Sequence, residues 1–146
     1  AAKLASGIIN FEGVGPEYPV SEIVTYAIDA PVIEESRCSG ELLSALRQFG
    51  NLNLNIPTDD FERTGIKHGD MVHVKLTKGG DTLFEEDALY HKSFGYTEIG
   101  APILFNGSSG TMGLGLNQRS FANTYLPGIY DAGVLYSDYK ISIVKI

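Results

Sequence analysis

Short segments in which hydrophobic and polar residues alternate recur along the chain, the pattern of strands with one buried face. The clearest is NLNLNI at Asn51–Ile56, where every second residue is Leu or Ile. The chain therefore predicts a protein built mainly of short strands. Comparable segments, rich in β-branched or aromatic residues and bounded by turn-forming residues, predict strands at Glu22–Ile28, Asp70–Leu76, Thr82–Glu86, Ala101–Asn106, Thr111–Asn117 and Tyr139–Ile146.

Two short helices are predicted between these strands. Thr58 can cap a helix near Asp59–Arg63, and Ser120 can cap a helix near Phe121–Leu126. A hydroxyl at such a position accepts a hydrogen bond from the first helical turn. The Gly-Gly pair within Lys78–Asp81 predicts a hairpin turn.

The first 39 residues differ in character from the rest. AAKLAS at Ala1–Ser6, followed by Gly7, has the composition of the end of a helix whose front is missing. Pro and Gly residues within Ile8–Ser21 indicate a linker. We therefore expect residues 1–39 to hold a helix end, a linker and an edge strand. Residues 40–146, where short strands follow one another, are expected to form a β-barrel domain. Because the chain begins at Ala1 and not at Met, we expect either that processing removed a leader or that the chain is a piece of a longer one.

The expected fold class is mainly β, as a small antiparallel β-barrel with two short helices. Seventeen of the 146 residues are Gly, which suits a chain with many tight turns. The order strand, hydroxyl cap, short helix, Gly, strand occurs at Asn51–Leu76 and again at Thr111–Val144. Two similar halves favour a closed barrel, with chance similarity among short strands as the alternative. Residues 87–100 have little periodicity and are interpreted as a long loop.

Charge and cysteine content exclude several classes of partner. The net charge is −7, which argues against nucleic acid, because phosphate neutralisation needs clustered Lys and Arg, and against an anionic membrane surface. Cys38 is the only cysteine, so no internal disulfide or Cys-based zinc site is expected. The three His residues are not at metal-ligand spacing, so no metal is expected. No apolar segment is long enough to span a membrane or to act as a signal core, and we expect a cytoplasmic protein.

Two segments have the composition of a small-ligand site. In Gln48–Asn51, Phe49 offers an aromatic face and Asn51 offers both a donor and an acceptor, which suits a purine. Asn106–Gly110 places two hydroxyls between glycines in a turn, which suits a carboxylate or an amine. A plain β-turn is the alternative for each. No nucleophile–base set, metal set or carboxylate pair is visible from spacing, so no catalytic residue is expected in this chain.

Three segments in order resemble one known domain. These are FGNLNLNI (Phe49–Ile56), GIKHGDMVHVKL (Gly65–Leu76) and NGSSGTMGLGLNQRSFA (Asn106–Ala122). They resemble the C-terminal β-barrel domain of the S-adenosylmethionine (SAM) hydroxide adenosyltransferases, SAM hydrolases related to the fluorinase and chlorinase enzymes. The opening AAKLASG is similar to the end of that family's N-terminal domain. The resemblance covers most of the chain.

The resemblance implies an activity and a set of partners. Members of the family have two domains and form homotrimers, with SAM held between the N-terminal domain of one subunit and the C-terminal domain of its neighbour. Water or hydroxide displaces methionine at the ribose C5′, giving adenosine and methionine, so SAM is a substrate and no cofactor is implied. The catalytic aspartate and the ribose contacts belong to the N-terminal domain. We therefore expect this chain to be inactive when it is alone.

The resemblance also implies ligand contacts, carried over by position. They are Phe49, Asn51 and Asn117 for the adenine, Ser108 with the adjoining Ser109 for the methionine end, and Phe94 or alternatively Tyr96 for a second aromatic wall.

The chain departs from the family pattern at the amino-acid end of the ligand. The family usually has an Asp two or three residues before the Phe of FGN, where it can pair with the methionine ammonium, but this chain has Leu46 and Arg47 there. The fluorinase branch has an Arg directly after the matched Ser, and here that residue is Ser109. Arg47 could instead bind the methionine carboxylate.

A geometric expectation joins the two candidate segments. SAM needs its adenine and amino-acid ends held on one continuous surface, and the strands after Asn51 and before Asn106 could meet at one rim of the barrel. We therefore expect Ser108 to face the same cavity as Asn51, with Arg47 on the same rim. The alternative functions are a standalone, non-catalytic barrel that binds a nucleoside or SAM, and a barrel that serves mainly in oligomerisation.

Overall fold

The computed structural model describes residues 2–17, 19–23 and 28–146. Most of the described chain lies in or between eight strands: β1 (Val32–Glu34), β2 (Arg37–Ala45), β3 (Leu52–Pro57), β4 (Met71–Lys78), β5 (Asp81–Tyr90), β6 (Pro102–Asn106), β7 (Thr111–Leu116) and β8 (Tyr139–Lys145). Three short helices accompany them: α1 (Ala2–Ala5), α2 (Thr58–Glu62) and α3 (Phe121–Tyr125). None of the helices in the described ranges is long and apolar enough to cross a bilayer.

Seven of these strands form a closed barrel in the order β2-β3-β7-β6-β5-β4-β8, and β8 pairs with β2 to complete the ring. Among the described strands, the small strand β1 pairs with β2 alone. The predicted β-barrel of mostly antiparallel strands is confirmed, and β5 and β6 are the one pair of described strands that run parallel. Residues 91–101 form a loop that returns the chain beside the end of β5, from which β6 continues in the same direction.

The barrel interior is a packed hydrophobic core. Leu52, Leu54 and Ile56 of β3 are fully buried, as their alternation predicts. Helices α2 and α3 each add one fully buried aromatic side chain, Phe61 and Phe121. Each such side chain contributes about 1.5–3 kcal/mol through burial. Since the interior is filled, a ligand has room only at the outer surface or at the ends of the barrel.

Strand β2 is the main element that the sequence pattern does not predict. Glu41 and Leu42 are adjacent and both buried, and the register between β2 and β3 shifts between Leu42 and Ser44. This β-bulge breaks the two-residue period that marks a strand in sequence. Strand β2 also runs across the domain boundary predicted between residues 39 and 40.

Two further predictions concern connecting segments. The predicted loop over residues 87–100 is wrong at its beginning, because β5 continues to Tyr90 and buries Ala88 and Tyr90. Of the predicted edge strand Glu22–Ile28, residues 24–27 lie outside the described residues, and Val20–Glu22 forms a short 3-10 helix. The predicted hairpin turn between β4 and β5 is confirmed.

The two predicted helix caps have different outcomes. The Ser120 hydroxyl accepts a hydrogen bond from the backbone N–H of Asn123 at 3.0 Å, which confirms this cap. Thr58 is itself the first residue of α2, and its buried hydroxyl has no hydrogen-bond partner among the described residues, so the Thr58 cap is wrong. Its backbone N–H donates instead to the carbonyl of Gly110 at 3.0 Å. This bond fixes the end of β3 beside the turn that precedes β7.

Candidate functional site

A cavity of about 540 Å³ lies at one end of the β3–β7 pair. Strands β3 and β7 are antiparallel, with Leu52 opposite Leu114, so the residues before β3 lie beside the residues after β7. The cavity is lined by both of these segments and by the loop before β6: Arg47, Gln48, Phe49, Gly50, Asn51, Phe94, Leu116, Asn117, Gln118, Arg119, Ser120 and Asn123. It therefore brings together five of the predicted site residues.

Gly50 fixes the segment before β3 against helix α3. Its φ of 72° lies in the left-handed region, which favours glycine. A Cβ at this position would overlap the Ser120 hydroxyl and lie 2.7 Å from the Ser120 Cα. The Gly50 carbonyl also accepts a hydrogen bond from the N–H of Ala122 at 2.9 Å. The neighbouring residues Phe49 and Asn51 are thereby held at a defined position on the cavity wall.

Asn51 presents an unpaired amide to the cavity. Its backbone carbonyl accepts a hydrogen bond from the N–H of Leu46 at 2.8 Å. Its side chain lies over Gly115, where an added Cβ would overlap the Asn51 Oδ1 and come within 3.0 Å of its Cγ. No group among the described residues hydrogen-bonds this half-buried amide. Its donor and acceptor are both available to a ligand.

Two aromatic side chains line the same cavity as the Asn51 amide. Phe49 is 62% exposed although it is a large hydrophobic residue. Phe94 is half-buried, with its Cε1 3.4 Å from the Cβ position of Gly115 and its ring centroid 5.0 Å from that of Phe105. Tyr96 does not line the cavity and stacks instead on His91, with ring centroids 3.6 Å apart. The cavity wall thus holds Phe94 rather than the alternative Tyr96.

Asn117 joins the end of β7 to the loop that carries Phe94. It is buried, and its side-chain amide donates a hydrogen bond to the carbonyl of Thr97 at 2.7 Å. Its backbone carbonyl accepts the N–H of Gly100 at 2.8 Å. The next residue, Gln118, is exposed and has a φ of 55°, unusual for a residue other than glycine. Asn117 is therefore placed to position the cavity wall.

Arg47 lines the cavity but is held by another residue. Its Nη2 donates a hydrogen bond to the carbonyl of Tyr130 at 3.0 Å, and its guanidinium carbon lies 4.7 Å from the centre of the Tyr130 ring. The Tyr130 hydroxyl in turn donates to the carbonyl of Leu46 at 3.3 Å. Partial burial raises the pKa of this phenol, so it stays protonated at neutral pH.

Ser108 and Ser109 lie at the opposite end of β7 from the cavity. Their turn adjoins the end of β3 through the bond from Thr58 to Gly110, whereas Asn51 precedes the start of β3. Strand β7 separates the two places by roughly 16 Å, at about 3.3 Å per residue. The expectation that Ser108 and Asn51 share one rim is therefore wrong, because antiparallel pairing puts the beginning of β7 beside the end of β3.

Neither Cys38 nor any of the three histidines is among the residues that line the cavity. Burial raises the pKa of the Cys38 thiol to about 12, so the thiol is not ionised at neutral pH. In the parts of the chain that the structure describes, no group of three or more His, Cys, Asp and Glu side chains is arranged to hold a metal ion. The chemistry of the cavity therefore depends on amide, aromatic and guanidinium groups.

Comparison with known proteins gives this cavity a family context. Residues 47–130 match the SAM hydroxide adenosyltransferase C-terminal domain. The chain belongs to this family. All residues that line the cavity lie within the matched segment. The cavity is therefore part of the SAM hydroxide adenosyltransferase C-terminal domain and not of the linker that precedes it.

Relatives of this SAM hydroxide adenosyltransferase domain are longer proteins. A fluorinase from Actinopolyspora mzabensis is 30% identical over 127 residues, covering 86% of this chain and 41% of the fluorinase. The chain thus spans about two fifths of the length of this curated relative. A crystal structure of an uncharacterized conserved protein from Thermotoga maritima matches with a TM-score of 0.62 and 24% identity, covering 83% of this chain and 41% of that protein. This second likeness supports the fold.

Sequence reasoning missed Arg119 as a lining residue. Arg119 follows Asn117 by two residues, in the run NQRS after a predicted strand. The position of Arg119 just after a strand is the signal that could have identified it. In an antiparallel pair, the residues that follow one strand lie beside the residues that precede the other. The Ser120 cap was recognised, but its contact with Gly50 depends on the tertiary fold.

Proposed function

We propose that this chain is the substrate-binding C-terminal domain of a SAM hydrolase, and that the adenine of SAM binds in the cavity beside Asn51. One observation carries the proposal. The Asn51 amide, which no group among the described residues hydrogen-bonds, lines one cavity together with Phe49 and Phe94, in a segment that belongs to the SAM hydroxide adenosyltransferase family. The edge of adenine offers one donor and one acceptor side by side, which an Asn amide can match.

Stacking supports the same ligand. An aromatic ring beside a purine contributes about 0.5–1.5 kcal/mol beyond the burial of its surface. Phe49 is 62% exposed, and binding of a purine would remove its ring from water.

Ser108 and Ser109 remain proposed contacts for the amino-acid end. Their distance from Asn51 requires SAM to extend along the β3–β7 pair if one molecule is to reach both.

The proposed reaction needs a group that the cavity does not contain. A water oxygen forms a bond to the ribose C5′, the C5′–S bond breaks, and the electron pair leaves with the methionine sulfur. The water proton must pass to a base, but the lining residues include no Asp, Glu or His. We place that base on the N-terminal domain of a neighbouring subunit in a homotrimer, as the resemblance implies.

Replacing Asn51 tests the adenine site. In the natural protein that contains this chain, Asn51→Ala is expected to weaken adenosine and SAM binding by about 10- to 100-fold, because loss of the amide leaves buried polar atoms of the purine unpaired. Asn53→Ala is the matched control. The Asn53 amide does not line the cavity and donates a hydrogen bond of 2.9 Å to the Ser44 hydroxyl. Unchanged affinity in Asn51→Ala, measured by calorimetry, would remove Asn51 from the site.

A non-catalytic nucleoside-binding barrel is the second candidate. It is favoured by the absence of any acid or base among the cavity-lining residues. Release of adenosine from SAM separates the two candidates: the hydrolase proposal expects release by the natural protein and none by residues 1–146 alone. If the natural protein binds SAM but releases no adenosine, the chain serves in binding only.

A further inference from the structure

The charge of the cavity is opposite to that of the chain. The chain has 18 Asp and Glu residues against 11 Lys and Arg, yet the cavity lining holds two arginines, Arg47 and Arg119, and no acidic residue. A guanidinium cannot lose its proton in a protein, so this charge is permanent. The cavity therefore favours a ligand that carries a negative group near the purine.

The position of Arg119 is set by the fold. Its backbone N–H donates to the carbonyl of Leu116 at 3.4 Å across a tight turn. Its side-chain stem lies against Gly100, where an added Cβ would be 3.4 Å from its Cδ and 3.3 Å from its Nε. Gly100 has a φ of 84° and no side chain to displace the stem. The next residue, Ser120, packs on Gly50, so Arg119 is close in the fold to the segment that carries Asn51.

The two arginine side chains differ in the contacts that each guanidinium already makes within the protein. The Arg47 guanidinium donates to the carbonyl of Tyr130 and lies over its ring. The Arg119 guanidinium has no ion pair or hydrogen bond with any other residue in the described part of the chain. Its donors can form a paired contact with two oxygens of a carboxylate or phosphate without first breaking a protein contact.

We propose that Arg119 binds an anionic group on the adenine ligand, a carboxylate or a phosphate, and thereby selects charged adenosine derivatives over adenosine itself. This inference rests on the proposed function, because it assumes that adenine occupies the cavity beside Asn51. Arg119 follows β7 at the same end as Asn51, so an amino-acid carboxylate that it binds would lie at this end of β7 and not beside Ser108 and Ser109. Arg119, rather than Arg47, then supplies the charged contact.

Four ligands test the proposal on the natural protein that contains this chain. Adenosine has no charge, AMP adds a phosphate, S-adenosylhomocysteine adds an amino-acid end, and decarboxylated S-adenosylhomocysteine keeps the amine but lacks the carboxylate. In Arg119→Gln, affinity for the ligand whose anion binds is expected to fall by about tenfold or more, while affinity for adenosine and the decarboxylated ligand changes by less than about twofold. A selective loss for AMP identifies a phosphate, and a selective loss for S-adenosylhomocysteine identifies a carboxylate.

Three further variants make the result interpretable. Arg63→Gln is the matched control, because Arg63 is exposed, lies outside the cavity and pairs with Asp60 at 3.1 Å. Arg119→Lys keeps the charge but loses the paired geometry, and is expected to recover part of the affinity. Arg47→Gln is expected to lack the selective loss, and a selective loss there instead would overturn the assignment to Arg119.

The failures of the two proposals can be distinguished. If the wild-type protein binds none of the four ligands, the proposed adenine site is wrong. If it binds adenosine and Arg119→Gln weakens all four ligands equally, or none of them, Arg119 does not recognise an anion and only this further inference is wrong. Circular dichroism of each variant confirms that the fold is retained.

Discussion

At the scale of single residues, the cavity depends on two glycines that let other side chains approach. Gly115 leaves room for the Asn51 amide and the Phe94 ring, and Gly50 leaves room for Ser120. In both cases the polar or aromatic group is identifiable in sequence, but the glycine that it needs is found only once the strands are paired. This is why Phe49 and Asn51 could be chosen from the sequence as ligand contacts, while their supports could not.

Gly50→Ala is expected to destabilise the protein and to abolish ligand binding. The left-handed φ costs a residue with a Cβ about 1–2 kcal/mol, and the added Cβ would also overlap Ser120. Gly65→Ala is the matched control, since Gly65 has a φ of 76° and no atom within 4 Å of its Cβ position. Urea unfolding should show a clearly larger loss of stability for Gly50→Ala than for Gly65→Ala. Equal losses would mean that the contact with Ser120 relaxes without cost.

Arg47 illustrates the limit of reasoning from a residue's type. Its charge and its place before FGN favour a carboxylate contact, but the sequence does not show that Tyr130, 83 residues later, occupies its guanidinium. Arg119 has the same side chain and an ordinary place in the sequence, yet within the described residues its guanidinium has no hydrogen-bond or ion-pair partner. Which arginine is available is decided by the tertiary neighbours of each.

At the scale of elements, prediction succeeded where the two-residue period is intact and failed where it is not. In the sequence, the large apolar residues of β3 and of β7 fall at every second position, and both strands were predicted to within about one residue at their ends, although the register between them shifts after Asn53. Strand β2 contains a bulge, so its inner and outer positions change partway along. The segments before β3 and after β7 were both predictable from the sequence, but the relative direction of the two strands was not. Because β3 and β7 are antiparallel, the start of β7 lies beside the end of β3, and Ser108 is therefore distant from Asn51.

The β4–β5 ladder contains a pH-sensitive contact. His73 Nδ1 lies 2.8 Å from Asp87 Oδ1, and its Nε2 lies 3.5 Å from Glu85 Oε1. These two carboxylates, Asp87 first, raise the pKa of His73 above its usual value. A raised pKa means that protonated His73 stabilises the folded state at low pH, fully below the usual pKa of about 6.5, and that this contribution is lost as pH rises through the higher folded-state pKa.

We therefore expect the melting-temperature difference between wild type and His73→Gln to be greatest near pH 5.5 and to shrink by pH 8.5. Asp87→Asn removes the principal cause of the raised pKa of His73. In the Asp87→Asn background, replacing His73 by Gln should therefore change the melting temperature less at low pH than it does in the wild type. Thermal melts followed by circular dichroism at several pH values provide the measurement. A difference that grows with increasing pH would contradict this assignment.

At the scale of the whole molecule, β8 completes the barrel by pairing on both sides. Ile143 lies opposite Cys38 of β2 and opposite Val74 of β4, and it is fully buried. The two partner strands are far apart in sequence, so their association depends on β8. A closed sheet has no exposed edge, and removal of one strand creates two.

Deletion of residues 139–146 is expected to abolish the cooperative thermal transition and to produce aggregates on gel filtration, because β2 and β4 would each expose an unpaired edge. Deletion of residues 2–5 is the control: α1 buries none of its residues, and the melting temperature should change by no more than about 1–2 °C. A cooperative, monomeric product lacking residues 139–146 would show that the barrel closes without β8.

The place of β8 also bears on how the protein is made. During translation, the other six barrel strands emerge from the ribosome before β8, so for that period the growing chain presents the edges of β2 and β4 to its surroundings. Contacts between residues so distant in sequence form slowly because a long loop must close first. A nascent chain in this state is open to pairing with a second copy. Ribosome-associated chaperones would therefore matter most for this domain in the interval before residue 139 emerges.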